Sequence, residues 1–280
     1  MLIDFKNLRV SANYPAYPSY HIGDYMEEYF YKFYIENKNK FDETGYTLIP
    51  IFWTNVYNTN KNRHLIQYYL NALPPGKYFT VSQHDDAVDE RLPANTLSFE
   101  AGGNKNGIPI PLICSPLNAV NDNHKDIFCS FVGSNTHPIR NKIKEYYSND
   151  ERFKIYIKNW SNAIPQEQVD FFIDVASRSQ FSLCPRGYGA QSFRFYEVLQ
   201  LGSIPVLIYD KEWLPFKDKI DYHKFCVVIH ESQIYNLTSI LDKITEEDQK
   251  NMIKIGKEIY EKYFTLKGMS EQILSVLQDI

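Results

Sequence analysis

Apolar residues in this chain fall into short runs separated by stretches with helical spacing, the strand–helix alternation that builds parallel α/β sheets. Residues 22–35 place Tyr25, Met26, Tyr29, Phe30 and Phe33 on one stripe and predict a helix. An apolar strand is expected over 47–53, a helix over 64–73 that stops at Pro74 and Pro75, and a strand over 77–82. Glycine and proline punctuate 97–114, which predicts brief strands and loops, and the polar stretch 118–126 reads as a linker. The pattern then repeats with a buried strand at 127–133, a helix through Arg140, Ile143 and Tyr147, a strand at 153–157 and a helix at 166–177. A strand at 181–184, a helix at 192–201 closed by Gly202, a strand at 225–229 and two amphipathic stretches, 246–264 and 270–280, complete it. A chain of 280 residues exceeds the usual single core, so two lobes are expected, 1–122 and 123–263.

The most informative stretch is 181–210. An apolar strand runs into a loop holding Pro185, Arg186, Gly187, Tyr188 and Gly189, and the loop opens a helix at Ser192. The loop thus lies at a strand's carboxyl end, where first-turn N–H groups and the positive end of the helix dipole favour an anion. Arg186 and Arg194 add planar donors suited to phosphate oxygens, and Glu197 sits where a carboxylate can reach a ribose diol. A second strand end carries Gly133, Ser134 and, in the helix that follows, Arg140, which suits the same anion.

The run CPRGYGAQSFRFYEVLQLGSIPV over 184–206 resembles the signature of the exostosin-like glycosyltransferases. The resemblance implies the GT-B fold, two Rossmann-like lobes facing a central cleft, with the terminal helix at 264–280 crossing back to the first lobe. It implies an inverting transferase that uses a UDP-sugar and a glycan acceptor. By resemblance Ser192 and Arg194 meet the donor diphosphate and Glu197 the ribose; Phe193 lies within the same motif, and Gly133 and Arg140 help to hold the diphosphate. HIGDYMEE at 21–28, LIPIFW at 48–53 and YFTVSQHD at 78–85 resemble the family's first half more weakly.

The acceptor side calls for a base from the first lobe. His84, Asp85 and Asp86 follow the expected strand 77–82, with Asp85 the preferred base; Asp24 and His21 compete with it. No Asp-x-Asp triplet is present, so no metal and no other cofactor is expected, and arginines with a helix end are left to neutralise the leaving diphosphate. Trp160 is placed for the nucleotide, Trp53 for the acceptor side, and Trp213 is a further platform candidate.

Composition narrows the partners. The formal net charge of −4 disfavours nucleic acid, and an aromatic share of 15% suits an aromatic core with some sugar-stacking surface. Cys114, Cys129, Cys184 and Cys226 are widely spaced in apolar runs and read as reduced thiols. No leader or spanning apolar stretch is apparent, so a soluble, cytoplasmic protein without a membrane anchor is expected. The family's cellular members are typically membrane-anchored, and the compact size with richness in Asn, Lys, Ile and Tyr is similar to exostosin-like xylosyltransferases of large algal DNA viruses. That similarity implies UDP-xylose as donor and a viral or microbial role in surface-glycan synthesis. A non-catalytic glycan-binding or partner subunit, and a GT-B epimerase or phosphorylase, stay open as other readings.

Overall fold

A computed structural model of the chain describes residues 4–10, 26–86, 88–119, 124–161 and 163–280. Helices α1 (Met26–Glu36) and α2 (Lys38–Glu43) precede strand β1 (Tyr46–Leu48), helices α3 (Trp53–Thr59) and α4 (Ile66–Asn71), and strands β2 (Lys77–Ser82), β3 (Thr96–Glu100) and β4 (Ile108–Pro109). These four strands form one parallel sheet in the order β1-β2-β3-β4. The second half runs β5 (Ile127–Ser134), α5 (Pro138–Tyr147), β6 (Phe153–Lys158), α6 (Gln166–Arg178), β7 (Ser179–Pro185), α7 (Phe193–Gln200), β8 (Ile204–Tyr209) and β9 (Val227–His230). Its sheet is also parallel, in the order β6-β5-β7-β8-β9. Helices α8 (Leu237–Leu241), α9 (Glu246–Ile259) and α10 (Leu266–Gln278) close the chain, and α10 packs on α1 and α2 of the first lobe. Two Rossmann-like lobes with a returning terminal helix constitute the GT-B architecture.

The core has three parts. Apolar side chains of α1, β2 and β3 merge with those of α7, the Phe216–Cys226 segment and α10 into one cluster that belongs to both lobes. Phe41 stacks on Phe79 at 5.7 Å, and Phe30 and Phe99 meet Phe79 edge-on, so one fully buried ring organises the first-lobe side of this cluster. The outer face of each sheet has its own satellite, around Trp53 in the first lobe and around Phe181 in the second. All four cysteines are buried free thiols. Among the described residues, no helix is long and apolar enough to cross a membrane.

One predicted strand ends early. Pro50 has no N–H to donate, so the run expected over 47–53 leaves the sheet after Leu48, with Ile49 N still bonded to Phe79 O at 2.8 Å. The chain then turns into α3 at Trp53. The indole is fully buried and donates from Nε1 to Thr80 Oγ1 at 2.7 Å, which makes Trp53 core and removes it from the acceptor side.

Where the lobes touch, the buried amide of Gln191 donates to Ala101 O and to Ile110 O (2.8 Å) in the first lobe and accepts from the Tyr196 hydroxyl. Ala190 N bonds to Gly102 O at 2.8 Å beside it. Gln191→Leu strands three buried polar groups, each costing about 1–3 kcal/mol when unpaired, so stability should fall by at least about 2 kcal/mol in urea denaturation. A change within about 0.5 kcal/mol, the range of ordinary surface substitutions, would show that this junction contributes little.

Candidate active site

The second sheet begins with β5 and continues on both sides of it, to β6 and to β7, so its topological switch point lies between the carboxyl ends of β5 and β7. A pocket of about 130 Å³ opens there, walled by Gly133 and Ser134 from β5, by the 187–189 loop, and by Ser192, Phe193 and Arg194 at the start of α7. The positive end of the α7 dipole therefore faces it.

Arg140 joins the two strand ends. It is 6% exposed, and its guanidinium donates to Ser134 O (2.8 Å), Arg186 O (3.0 Å), Pro185 O (3.2 Å) and Ser192 Oγ (3.4 Å) while lying over the Phe131 ring. Glycine at 133 is required by that ring, since a Cβ would stand 2.6 Å from Phe131 Cζ. Ser192 takes the extended N-cap conformation, yet its side chain makes no cap bond to α7; the hydroxyl faces Arg140 instead. Arg194 lies on the Phe172 ring, its carbon 3.7 Å from the centroid, donates to Val132 O, and ion-pairs with Glu197 one turn along α7. Glu197 is 1% exposed and borders the pocket from beneath.

Arg186 is placed differently from the sequence expectation. Its Nη1 binds both oxygens of Asp210 at 2.9 and 2.7 Å, Nε reaches Gly189 O, and Nη2 reaches Tyr188 O. The side chain braces the loop and is absent from the described pocket walls, so any effect on a bound anion passes through loop shape and long-range charge.

The pocket continues into a cleft of about 510 Å³ between the lobes. Thr54, Asn55 and Asn58 from α3, with Gln83, His84 and Asp85 from the end of β2, form its first-lobe wall. The His84–Asp85 turn lies against Gly102, where a Cβ would meet backbone atoms of both residues at 2.3–2.4 Å, and Asp85 Oδ1 lies 2.8 Å from where a Cβ of Gly189 would be. Burial between these glycines, with the like charge of Asp86, lifts the Asp85 carboxyl to about 6 against the pull of Arg186. His84 is held below the usual histidine range, chiefly by burial, and its Nδ1 accepts from Asp86 N at 3.3 Å. Asp86 accepts from Asn104 Nδ2 at 3.2 Å and does not stand among the described cleft walls. Asp24 and His21 lie outside the described residues.

Trp160 and Tyr188, 55% and 60% exposed, stand on the donor-lobe side of the cleft. Trp213 is buried under Lys211, away from the cleft. Sequence reasoning overlooked Thr54, Asn55, Asn58, Gln83 and Thr136, because neutral polar side chains on a two-turn helix or in loops carry no spacing signal. The buried Thr136 Oγ1 borders both cavities and has no hydrogen-bond partner among the described residues. No three His, Cys, Asp or Glu side chains among those residues are grouped to hold a metal ion.

The chain is 29% identical over 105 residues to an Exostosin-1 homolog of Caenorhabditis elegans, a stretch covering 37% of this chain and 28% of that protein. It is 36% identical over 96 residues to Exostosin-1 of Drosophila melanogaster (34% and 12% covered) and 34% identical over 107 residues to a probable glucuronosyltransferase of Oryza sativa subsp. japonica (37% and 24% covered). The matches thus span under a third of each relative's length. Among solved structures, TarM gives a TM-score of 0.43 at 9% identity, covering 78% of this chain and 58% of that one. The Exostosin GT47 domain model matches residues 62–244, more than half of the chain, from the turn before α4 through the His84–Asp85 turn and every wall of the smaller pocket, so this chain belongs to the exostosin GT47 family.

Proposed function

We propose that the protein is an inverting glycosyltransferase that moves a monosaccharide from a UDP-sugar to a glycan hydroxyl. One observation carries the reading: an anion pocket built from Arg140, Arg194 and the start of α7 opens into a cleft whose opposite wall presents Asp85, a carboxyl lifted to about 6. In this reading the diphosphate lies at Ser192 and Arg194 with Gly133, Ser134, Thr136 and the 187–189 backbone around it, Glu197 takes the ribose, and Trp160 offers a face to the uracil. The acceptor oxygen attacks C1 from the first-lobe side, Asp85 accepts its proton, and the C1–O bond to UDP breaks on the opposite face. A single in-line displacement inverts the anomeric centre. Leaving-group charge is met by guanidinium groups and the helix dipole, so the reaction needs no resident metal.

The sugar is neutral, with xylose the preferred donor sugar. Among the described residues that wall the larger cleft, none is Lys or Arg, and residues 1–3, 11–25, 87, 120–123 and 162 contain neither. A uronate would therefore bring its carboxylate toward Asp85, where Arg186, the guanidinium that acts on that carboxyl, is already paired with Asp210. Xylose carries no sixth carbon and no charge. A viral or microbial role in surface-glycan synthesis in the cytoplasm accords with this donor.

Removal of the Arg194 side chain deletes charge-assisted hydrogen bonds, and Arg194→Ala should weaken UDP binding about ten- to a hundred-fold by calorimetry. Unchanged affinity would remove the donor assignment. Asp85→Asn should lower transfer by about 10²–10⁴ while UDP affinity stays near that of the unmodified protein.

The pH profile follows from the same carboxyl. Only its ionised form accepts a proton, so kcat/KM should rise as pH passes upward through about 6 and fall below it. If activity is flat between pH 5 and 8, or if His84→Ala shows the large loss and Asp85→Asn does not, the base is another group. Activity should also persist in EDTA; loss in chelator that a divalent cation restores would replace the arginine scheme with a metal one.

A further inference from the structure

Glu27 lies in the first turn of α1 and is 5% exposed, yet it belongs to neither cavity wall. One of its carboxylate oxygens, Oε1, accepts from Thr54 N at 3.2 Å, Thr54 Oγ1 at 2.7 Å and Gln83 N at 3.0 Å. Those donors belong to the two segments that make the first-lobe wall of the cleft, the start of α3 and the residue that leads from β2 into His84 and Asp85. A helix packed on the core thus reaches the start of α3 and the segment after β2 with a single atom.

We propose that Glu27 is a positioning residue, whose one carboxylate oxygen locks the start of α3 and the end of β2 into a single wall and so fixes where Asp85 stands in the cleft. The assignment rests on the reading of Asp85 as the acceptor-side base. Three considerations carry it. Gln83 and Asp85 are two residues apart in a segment that has already left the sheet, so no ladder bond holds its path. Thr54 is the second residue of α3, where helix N–H groups lack intrahelical acceptors and a carboxylate is favoured. Three donors on one buried oxygen also tie the two segments to a single point, an arrangement that water at an open site would not fix.

Burial drives the Glu27 carboxyl above the usual carboxylate range, while its bonds to Thr54 and Gln83 pull it back. The titratable groups around the two segments are Glu28 on α1, His84 and Asp86 beside Asp85, Arg63 near His84, and Arg186 and Tyr188 from the donor loop.

The test reads Asp85 directly. In the full chain labelled with carboxyl-¹³C aspartate, the Asp85 resonance is identified by its loss in Asp85→Asn and titrated in the unmodified protein, Glu27→Ala, Glu27→Asp and Glu27→Gln. The unmodified midpoint should lie near 6. Releasing the wall admits water to Asp85, so Glu27→Ala should move that midpoint toward about 4, the ordinary carboxylate value, and lower kcat for transfer about ten- to a hundred-fold. Glu27→Gln, which keeps the accepting oxygen, should restore both. UDP affinity, set in the other lobe, should stay within about twofold in all three. If Glu27→Ala does not fold, Glu27→Asp withdraws the oxygen by one methylene and must show the same downward shift. An Asp85 midpoint unmoved in every folded variant overturns the proposal. Full transfer activity in Asp85→Asn would instead overturn the reading of Asp85 as the base, leaving the titration result to stand by itself.

Discussion

The side chain of Gln191 holds the molecule's two halves in one register, and the cleft's geometry depends on that register. A primary amide can donate twice and accept once or twice, and here it uses both capacities: its N–H groups donate to two first-lobe carbonyls, and its oxygen accepts from the Tyr196 hydroxyl of α7. Because Gln191 directly precedes the N-cap of α7, the 187–189 loop is referenced to the first lobe as well as to its own sheet. The anion pocket and the acceptor wall lie on different lobes, yet their separation is set within a few residues of one buried amide.

Around that junction the arginines divide the work. Arg140 satisfies backbone carbonyls at the ends of β5 and β7, and Arg186 spends its donors on Asp210 and the loop. Arg194 combines an aromatic face with an ion pair to Glu197. A guanidinium has five donors in a rigid fork, so one group can hold several oxygens at fixed angles where a lysine would hold one or two loosely. Each guanidinium is thus held by protein partners in advance, and preorganised charge of that kind is suited to an anion at the end of β5 and β7.

The donor half was legible in the sequence because strand, glycine loop and helix are contiguous there. Residues 181–206 contain β7, the loop, α7 and the entry to β8, so periodicity and punctuation alone locate Ser192, Arg194 and Glu197 at one strand end. The strand predicted over 77–82 is β2 to the residue. The first-lobe wall was harder, since it is assembled from segments far apart in sequence: Glu27, Thr54 and Gln83 meet only after folding, and neutral polar side chains give no period to detect. Trp53 misled because an apolar run was read through Pro50, and Arg186 because its carboxylate partner, Asp210, lies 24 residues onward. Charge near a glycine loop predicts an anion site, but which arginine faces the anion is decided by tertiary partners.

Position 189 links the two poles of the site by contact. A side chain there would strike the Gly102 carbonyl and the Asp85 carboxylate, so the 187–189 loop and the His84–Asp85 turn cannot vary independently of each other. Variation in substrate range is thereby directed elsewhere. Asn58 stands exposed in the cleft wall, whereas Asn55 beside it is buried and donates to Val10 O at 2.9 Å, which makes position 58 the part of α3 where the shape of the cleft can drift, or be redesigned, while both poles stay in place.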